Sequence, residues 1–107
     1  MKDKIFEVIN RKGAVTFIEL CDEVEGFRGD SVIGTAKNVI YWSGVSEEAI
    51  THISDLLKEN KIKFTPANPL TYLMDGCSLS LPLVKKDVHY KTPHWLPVVM
   101  NVVTQLP

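Results

Sequence analysis

A chain of 107 residues with 45% apolar content can bury one core and is too short for two ordinary domains. Its net charge of -1 argues against a surface given over wholly to nucleic acid, and two widely separated cysteines, Cys21 and Cys77, exclude a Cys-x-x-Cys motif and a dense disulfide framework. No apolar run approaches the ~18 residues of a membrane span, and the charged start Met1-Lys2-Asp3-Lys4 has no apolar segment behind it, so a soluble, cytoplasmic protein with reduced thiols is expected.

In chain order, Asp3 is placed to cap a first helix over residues 4–12, with Ile5, Phe6, Val8 and Ile9 on one side, Arg11 and Lys12 in the last turn and Gly13 as the stop. Thr16 with Glu19 forms a capping box, and Val15 with Leu20 a hydrophobic staple, for a second helix over residues 17–24. Phe17, Leu20, Cys21 and Val24 supply its apolar face. The next thirteen residues hold three glycines and predict a loop with a short strand around Val32-Ile33. Residues 38–42 are β-rich, with Val39 and Tyr41 on one face and Ile40 and Trp42 on the other. Ser46 then caps a third helix reaching Asn60, with Glu47 and Glu48 in its first turn and Ile50, Ile53, Leu56 and Leu57 along one face.

Residues 61–65 alternate, Pro66-Ala67-Asn68-Pro69 interrupts, and residues 70–74 resume an extended run, which predicts a β-hairpin. Leu79, Leu81 and Leu83 alternate around Pro82, as in an edge strand or docked arm, and residues 95–103 form a last apolar run able to add a strand or cover the core. The expected architecture is α+β and winged helix-turn-helix-like: three helices with a β-hairpin wing in residues 1–76, and a C-terminal extended arm, residues 77–107, packed on it.

That map makes the third helix the one that would read DNA. It carries Glu47, Glu48, Asp55 and Glu59 against Lys58, a balance of -3, and such a charge repels phosphates instead of releasing counterions from them. The roughly twenty residues between the second and third helices also exceed the three or four of a compact helix-turn-helix. A packing or partner-binding role fits this helix better.

Charge is unevenly divided. Residues 1–55 hold six basic and ten acidic side chains, net -4, and residues 56–107 six basic and three acidic, net +3. Polyanion contacts are therefore expected from Lys58, Lys61 and Lys63 and from Lys85, Lys86, His89, Tyr90, Lys91 and His94. Basic groups interleaved with rings suit single-stranded nucleic acid, whose bases stack while ammonium groups follow the backbone. The alternative is a solvated basic tail whose rings pack back onto the domain. Tyr41, Trp42 and Trp95 are candidate partner-binding aromatics if exposed, and core residues if not.

No phosphate-cradling glycine loop, Gly-x-Ser-x-Gly elbow or His-Glu-x-x-His is present. His89 and His94 have no second ligand pair at metal-site spacing, and nothing orients Cys77 toward either, so neither a metal site, nor a cofactor, nor catalysis by this chain is expected.

The segments Ile5-Phe6-Glu7-Val8, Val15-Thr16-Phe17-Ile18-Glu19-Leu20, Tyr41-Trp42-Ser43-Gly44-Val45-Ser46, Pro69-Leu70-Thr71-Tyr72-Leu73-Met74-Asp75-Gly76 and Lys91-Thr92-Pro93-His94-Trp95-Leu96-Pro97-Val98 carry a resemblance over nearly the full chain. The chain resembles small proteins encoded on staphylococcal cassette chromosomes and pathogenicity islands beside a replicative helicase and an A-family polymerase-like protein. The resemblance implies a non-catalytic accessory subunit that binds the polymerase-like protein, the two forming a primase that engages single-stranded DNA. Competing expectations are a dimeric winged-helix transcription regulator of duplex DNA and a phage or host interference protein acting by protein binding.

Overall fold

The computed structural model describes residues 1–104. Helix α1, Lys2–Lys12, starts two residues earlier than the sequence signals: Met1 occupies its N-cap without a side-chain bond, and Asp3 lies inside the first turn. Gly13, at φ 66°, ends the helix by donating its N–H to Ile9. Helix α2, Phe17–Glu23, opens on the predicted capping box, with Thr16 accepting from the Glu19 N–H and Glu19 accepting from that of Thr16.

The glycine-bearing stretch is more regular than expected. It forms strand β1, Arg28–Gly34, paired antiparallel with β2, Val39–Val45. Ser46 then caps α3, Glu47–Lys58, by accepting from the Ala49 N–H, and Ala49, Ile53 and Leu56 are its buried face. Asn60 takes the left-handed conformation (φ 58°) that turns the chain into β3, Ile62–Pro66.

The predicted second strand of the wing is instead a helix. Asn68 accepts from the Leu70 N–H as N-cap, Pro69 stands at the first helical position, and α4 runs over Pro69–Met74. The described residues therefore hold four helices and not three, and β3 finds its partner elsewhere: β5, Val98–Val102, pairs antiparallel with it from Ile62 opposite Val102 to Pro66 opposite Val98. The remaining strand, β4, His94–Trp95, lies parallel to β2, giving a three-stranded sheet in the order β1-β2-β4. Residues of the expected C-terminal arm thus complete both sheets; its last three, 105–107, lie outside the described residues.

The core lies where α1, α2 and α3 meet these sheets, with Ile5, Val8, Ile9, Phe17, Leu20, Phe27, Ile53, Leu56, Tyr72, Trp95 and Met100 buried. Leu79 and Leu81 pack against it from the leucine-rich segment, and Leu83 bridges to Trp95, so that segment is a docked arm. No described helix is long and apolar enough to cross a membrane.

Candidate nucleic-acid interface

The turn between β1 and β2 is set by local chemistry. Thr35 donates its N–H to Val39, the Thr35 hydroxyl accepts from the Lys37 N–H, and Asn38 adopts a left-handed φ of 61°, which asparagine tolerates better than most residues. Asn38 then ties this turn to a distant loop. Its side-chain amide donates to the Tyr90 carbonyl at 2.8 Å, its carbonyl accepts from His94 N–H at 2.8 Å, and Tyr90 N–H donates to the Lys37 carbonyl at 3.1 Å.

The loop of residues 84–94 folds around the Tyr90 phenol, which accepts from the backbone N–H groups of Lys85 and Lys86 and donates to the Lys86 carbonyl. The Tyr90 ring stacks on His94 with centroids 3.8 Å apart. His94 Nδ1 lies 2.8 Å from the Thr92 carbonyl, and because a carbonyl only accepts, Nδ1 carries the hydrogen.

Turn and loop form the walls of a cleft of about 680 Å³. Half-buried Val39, Tyr41, Val84 and Leu96 supply most of its apolar lining, and the exposed Lys37, Lys85, Lys86 and Asp87 its charged groups. Lys37 Nζ reaches Asp87 Oδ1 at 3.7 Å across the mouth, with both side chains mostly in solvent. Among the described residues Lys85 and Lys86 form no ion pair. Next to the cleft is a hollow of about 410 Å³ bounded by Pro82, Leu83, Lys85, Tyr90 and His94, so that Lys85 belongs to both.

Of the basic and aromatic residues singled out from the sequence, Lys85, Lys86, Tyr90 and His94 are brought to these two cavities, and the exposed His89 and Lys91 stand on the same loop. Lys58, Lys61 and Lys63 are exposed on the end of α3 and on β3, sharing no hydrogen bond or ion pair with the loop. Lys61 faces Glu59, which also holds Lys2 at 2.7 Å and is kept below the ordinary carboxylate range chiefly by that Lys2 bond. Lys37, Ala36 and Leu96 are cleft residues that sequence reasoning did not single out. Lys37 beside a left-handed Asn38 was the available signal, since that dipeptide marks the tip of a hairpin.

The aromatic candidates divide. Trp42 and Trp95 are buried and pack with Tyr72 in one cluster, ring centroids 4.8 to 6.0 Å apart, while Trp95 Nε1 donates to the Tyr41 carbonyl. Both tryptophans are therefore core side chains and not accessible partner anchors. Tyr41 is half-buried, edge-on to Phe64 and part of the cleft lining. Among the described residues three of the exposed large apolar side chains are on α4, where Leu70, Leu73 and Met74 are 60%, 52% and 86% exposed; Val32, Leu83 and Val88 are exposed elsewhere. Cys77 is exposed and contacts only the Ser78 carbonyl, with neither histidine among its hydrogen-bond partners.

The N-terminus of α3 is crowded. Ser46 N–H donates to the Phe27 carbonyl and Ser46 Oγ to that of Gly26, while β1 passes so close that a Cβ on Gly29 would stand 2.6 Å from Ser46 Cα. Compared with known proteins, the chain matches no family model, no curated protein and no solved structure.

Proposed function

We propose that this chain is a non-catalytic accessory subunit of a mobile-element replication primase or polymerase, contributing single-strand binding to a polymerase-like partner. The observation that carries the nucleic-acid part is the loop of residues 84–94, which presents lysines without acidic partners among the described residues beside half-buried rings and apolar cavity lining. The partner part rests on the resemblance, and the exposed apolar edge of α4 gives such a partner a place to dock.

A modified winged-helix scaffold fits the strand pairing. Val15, between the first two helices, bridges to Met100 of β5, and β5 pairs with β3, so two of the strands after α3 form an antiparallel pair to which the α1–α2 link adds. On this reading β3 and β5 are the wing strands and residues 67–97 are its enlarged tip. The β1–β2 hairpin takes the place of the short turn between the second and third helices. Duplex reading by α3 is disfavoured by its acidic face and by the β1 backbone seated on its N-terminus.

Capture of partners by tagged chain in the native host, followed by anisotropy on single-stranded and duplex oligonucleotides with and without the captured protein, tests the proposal. Recovery of a polymerase-like protein with single-strand binding strengthened in the complex is expected. Tight, sequence-specific duplex binding by the chain alone would establish the transcription-regulator reading in its place. Tight capture of an unrelated phage or host protein, with no nucleic-acid affinity, would establish interference.

A further inference from the structure

The geometry points to a two-nucleotide site: one base of a single strand inserts into the cleft over Tyr41 and Leu96, the neighbouring base lies in the hollow beside the Tyr90–His94 stack, and Lys85 holds the phosphate between them. This rests on the single-strand reading above and gives it an address.

The cleft's volume of about 680 Å³ lies in the range of roughly 300–1,000 Å³ usual for small-molecule sites. Its apolar lining includes a ring, which suits the face of a nucleobase, and its charged groups are mostly cationic, which suits phosphate. Asp87, the one carboxylate among the described residues that line the cleft, stands 3.7 Å from Lys37 Nζ. A long duplex does not fit, because a base must leave its stack to enter.

The second cavity makes a dinucleotide a better occupant than a lone anion. Lys85 lines both cavities, so it is the residue within reach of a phosphate linking two inserted nucleotides. The backbone on either side of this point is held by the Tyr90 phenol, which fixes the N–H groups of Lys85 and Lys86. Both walls are then joined through Asn38, so the cleft is formed before any ligand arrives. A preformed site avoids the ordering losses that weaken binding by mobile tails.

An acidic peptide would satisfy the lysines but would leave the paired hollows unfilled, which is why a nucleic acid is favoured. Three oligonucleotides of equal charge separate these contributions: oligothymidylate, the same strand with abasic sites throughout, and a duplex of matching phosphate count. Titrated into isotope-labelled full-length chain at low salt and millimolar ligand, oligothymidylate should shift the amide resonances of residues 35–41, 84–90 and 96, with at least tenfold weaker binding for the abasic strand. Lys85→Gln should reduce the slope of log affinity against log salt by about 0.7, the contribution of the one single-strand phosphate it holds.

Equal affinity for normal and abasic strands would overturn the site, leaving only an electrostatic patch. Shifts confined to Lys58, Lys61 and Lys63, no shifts at all, or tighter binding of a poly-glutamate peptide would overturn it as well. None of these bears on whether a polymerase-like protein is captured, so the accessory reading and the two-nucleotide site fail separately.

Discussion

Replacing Tyr72 with phenylalanine removes one oxygen from the centre of the molecule and leaves the ring contacts to Trp42 and Trp95 in place. That oxygen, on a fully buried residue, donates to the Val98 carbonyl at 2.6 Å and accepts from the Phe17 N–H at 3.3 Å. Neither partner has an easy replacement. Phe17 is the first residue of α2, where N–H groups lack helical acceptors, and Val98 lies opposite Pro66, which has no N–H to offer. A buried group left unpaired costs about 1–3 kcal/mol, so with one strong and one long bond lost the expected destabilisation is about 2–4 kcal/mol. In a domain of this size that corresponds to a fall in Tm of roughly 8–16 °C. Urea unfolding of both proteins measures it, with the m-value expected unchanged. Burial also pushes the Tyr72 phenol far above its ordinary value of 10.0. The sign follows: a raised folded value contributes stability that is complete below pH 10 and is lost as pH climbs toward that value, so the wild type should lose an alkaline increment of stability that Tyr72→Phe lacks. A loss under about 0.5 kcal/mol would refute the reasoning, since it is below the usual net value of even one ordinary hydrogen bond.

Gly29→Ala should destabilise by about 1–3 kcal/mol, because the new methyl meets backbone and not a side chain that could move, with Ser46 Cα at 2.6 Å and Val45 O at 2.9 Å; an unchanged thermal midpoint would mean β1 does not seal the start of α3. Glu23 is held below the ordinary carboxylate value of 4.5 first by its bond to Lys12 and then by Arg11, so its contribution is present above that value and lost as pH falls through the lower folded one. Glu23→Gln should therefore flatten the acid limb of the stability profile, an effect that 1 M salt should shrink; superimposable limbs at low salt would refute it. The triple change Leu70→Ser, Leu73→Ser and Met74→Ser alters exposed positions only, and should weaken capture of a protein partner at least tenfold while each change moves stability by no more than about 0.5 kcal/mol; undiminished capture would remove α4 from the interface.

What the sequence disclosed was local. The Thr16–Glu19 box and the Ser46 cap each concern atoms within four residues of one another, and each is present as read. The failure at α4 was also local but ambiguous. Asn68-Pro69 serves equally as a strand breaker and as a helix start, and a six-residue helix is too short for periodicity to decide between them. The decision is made by Tyr72, which must enter the core, and nothing nearby in sequence announces that. The basic and aromatic residues of the 84–94 loop were visible as composition, but the cleft was not, because its lining comes from residues 35–41, 84–87 and 96. Those segments meet through the parallel pairing of β2 with β4 and through the Asn38 and Lys37 bonds to Tyr90, long-range contacts without a sequence signature.

That pairing explains why the cationic half of the chain is not merely a solvated tail. β4 contributes just two residues, yet Trp95 is buried among Trp42 and Tyr72, so the strand is anchored by its side chain more than by its short ladder. With Trp95 fixed, His94 emerges beside it on the outer face, the Tyr90 ring rests on His94, and the Tyr90 hydroxyl gathers Lys85 and Lys86. A single buried indole thus sets the position of a half-buried imidazole, a phenol and the backbone of two lysines in succession. Trp42 and Trp95 matter to the proposed interface through this chain of support and not through contact, which is the role their burial allows.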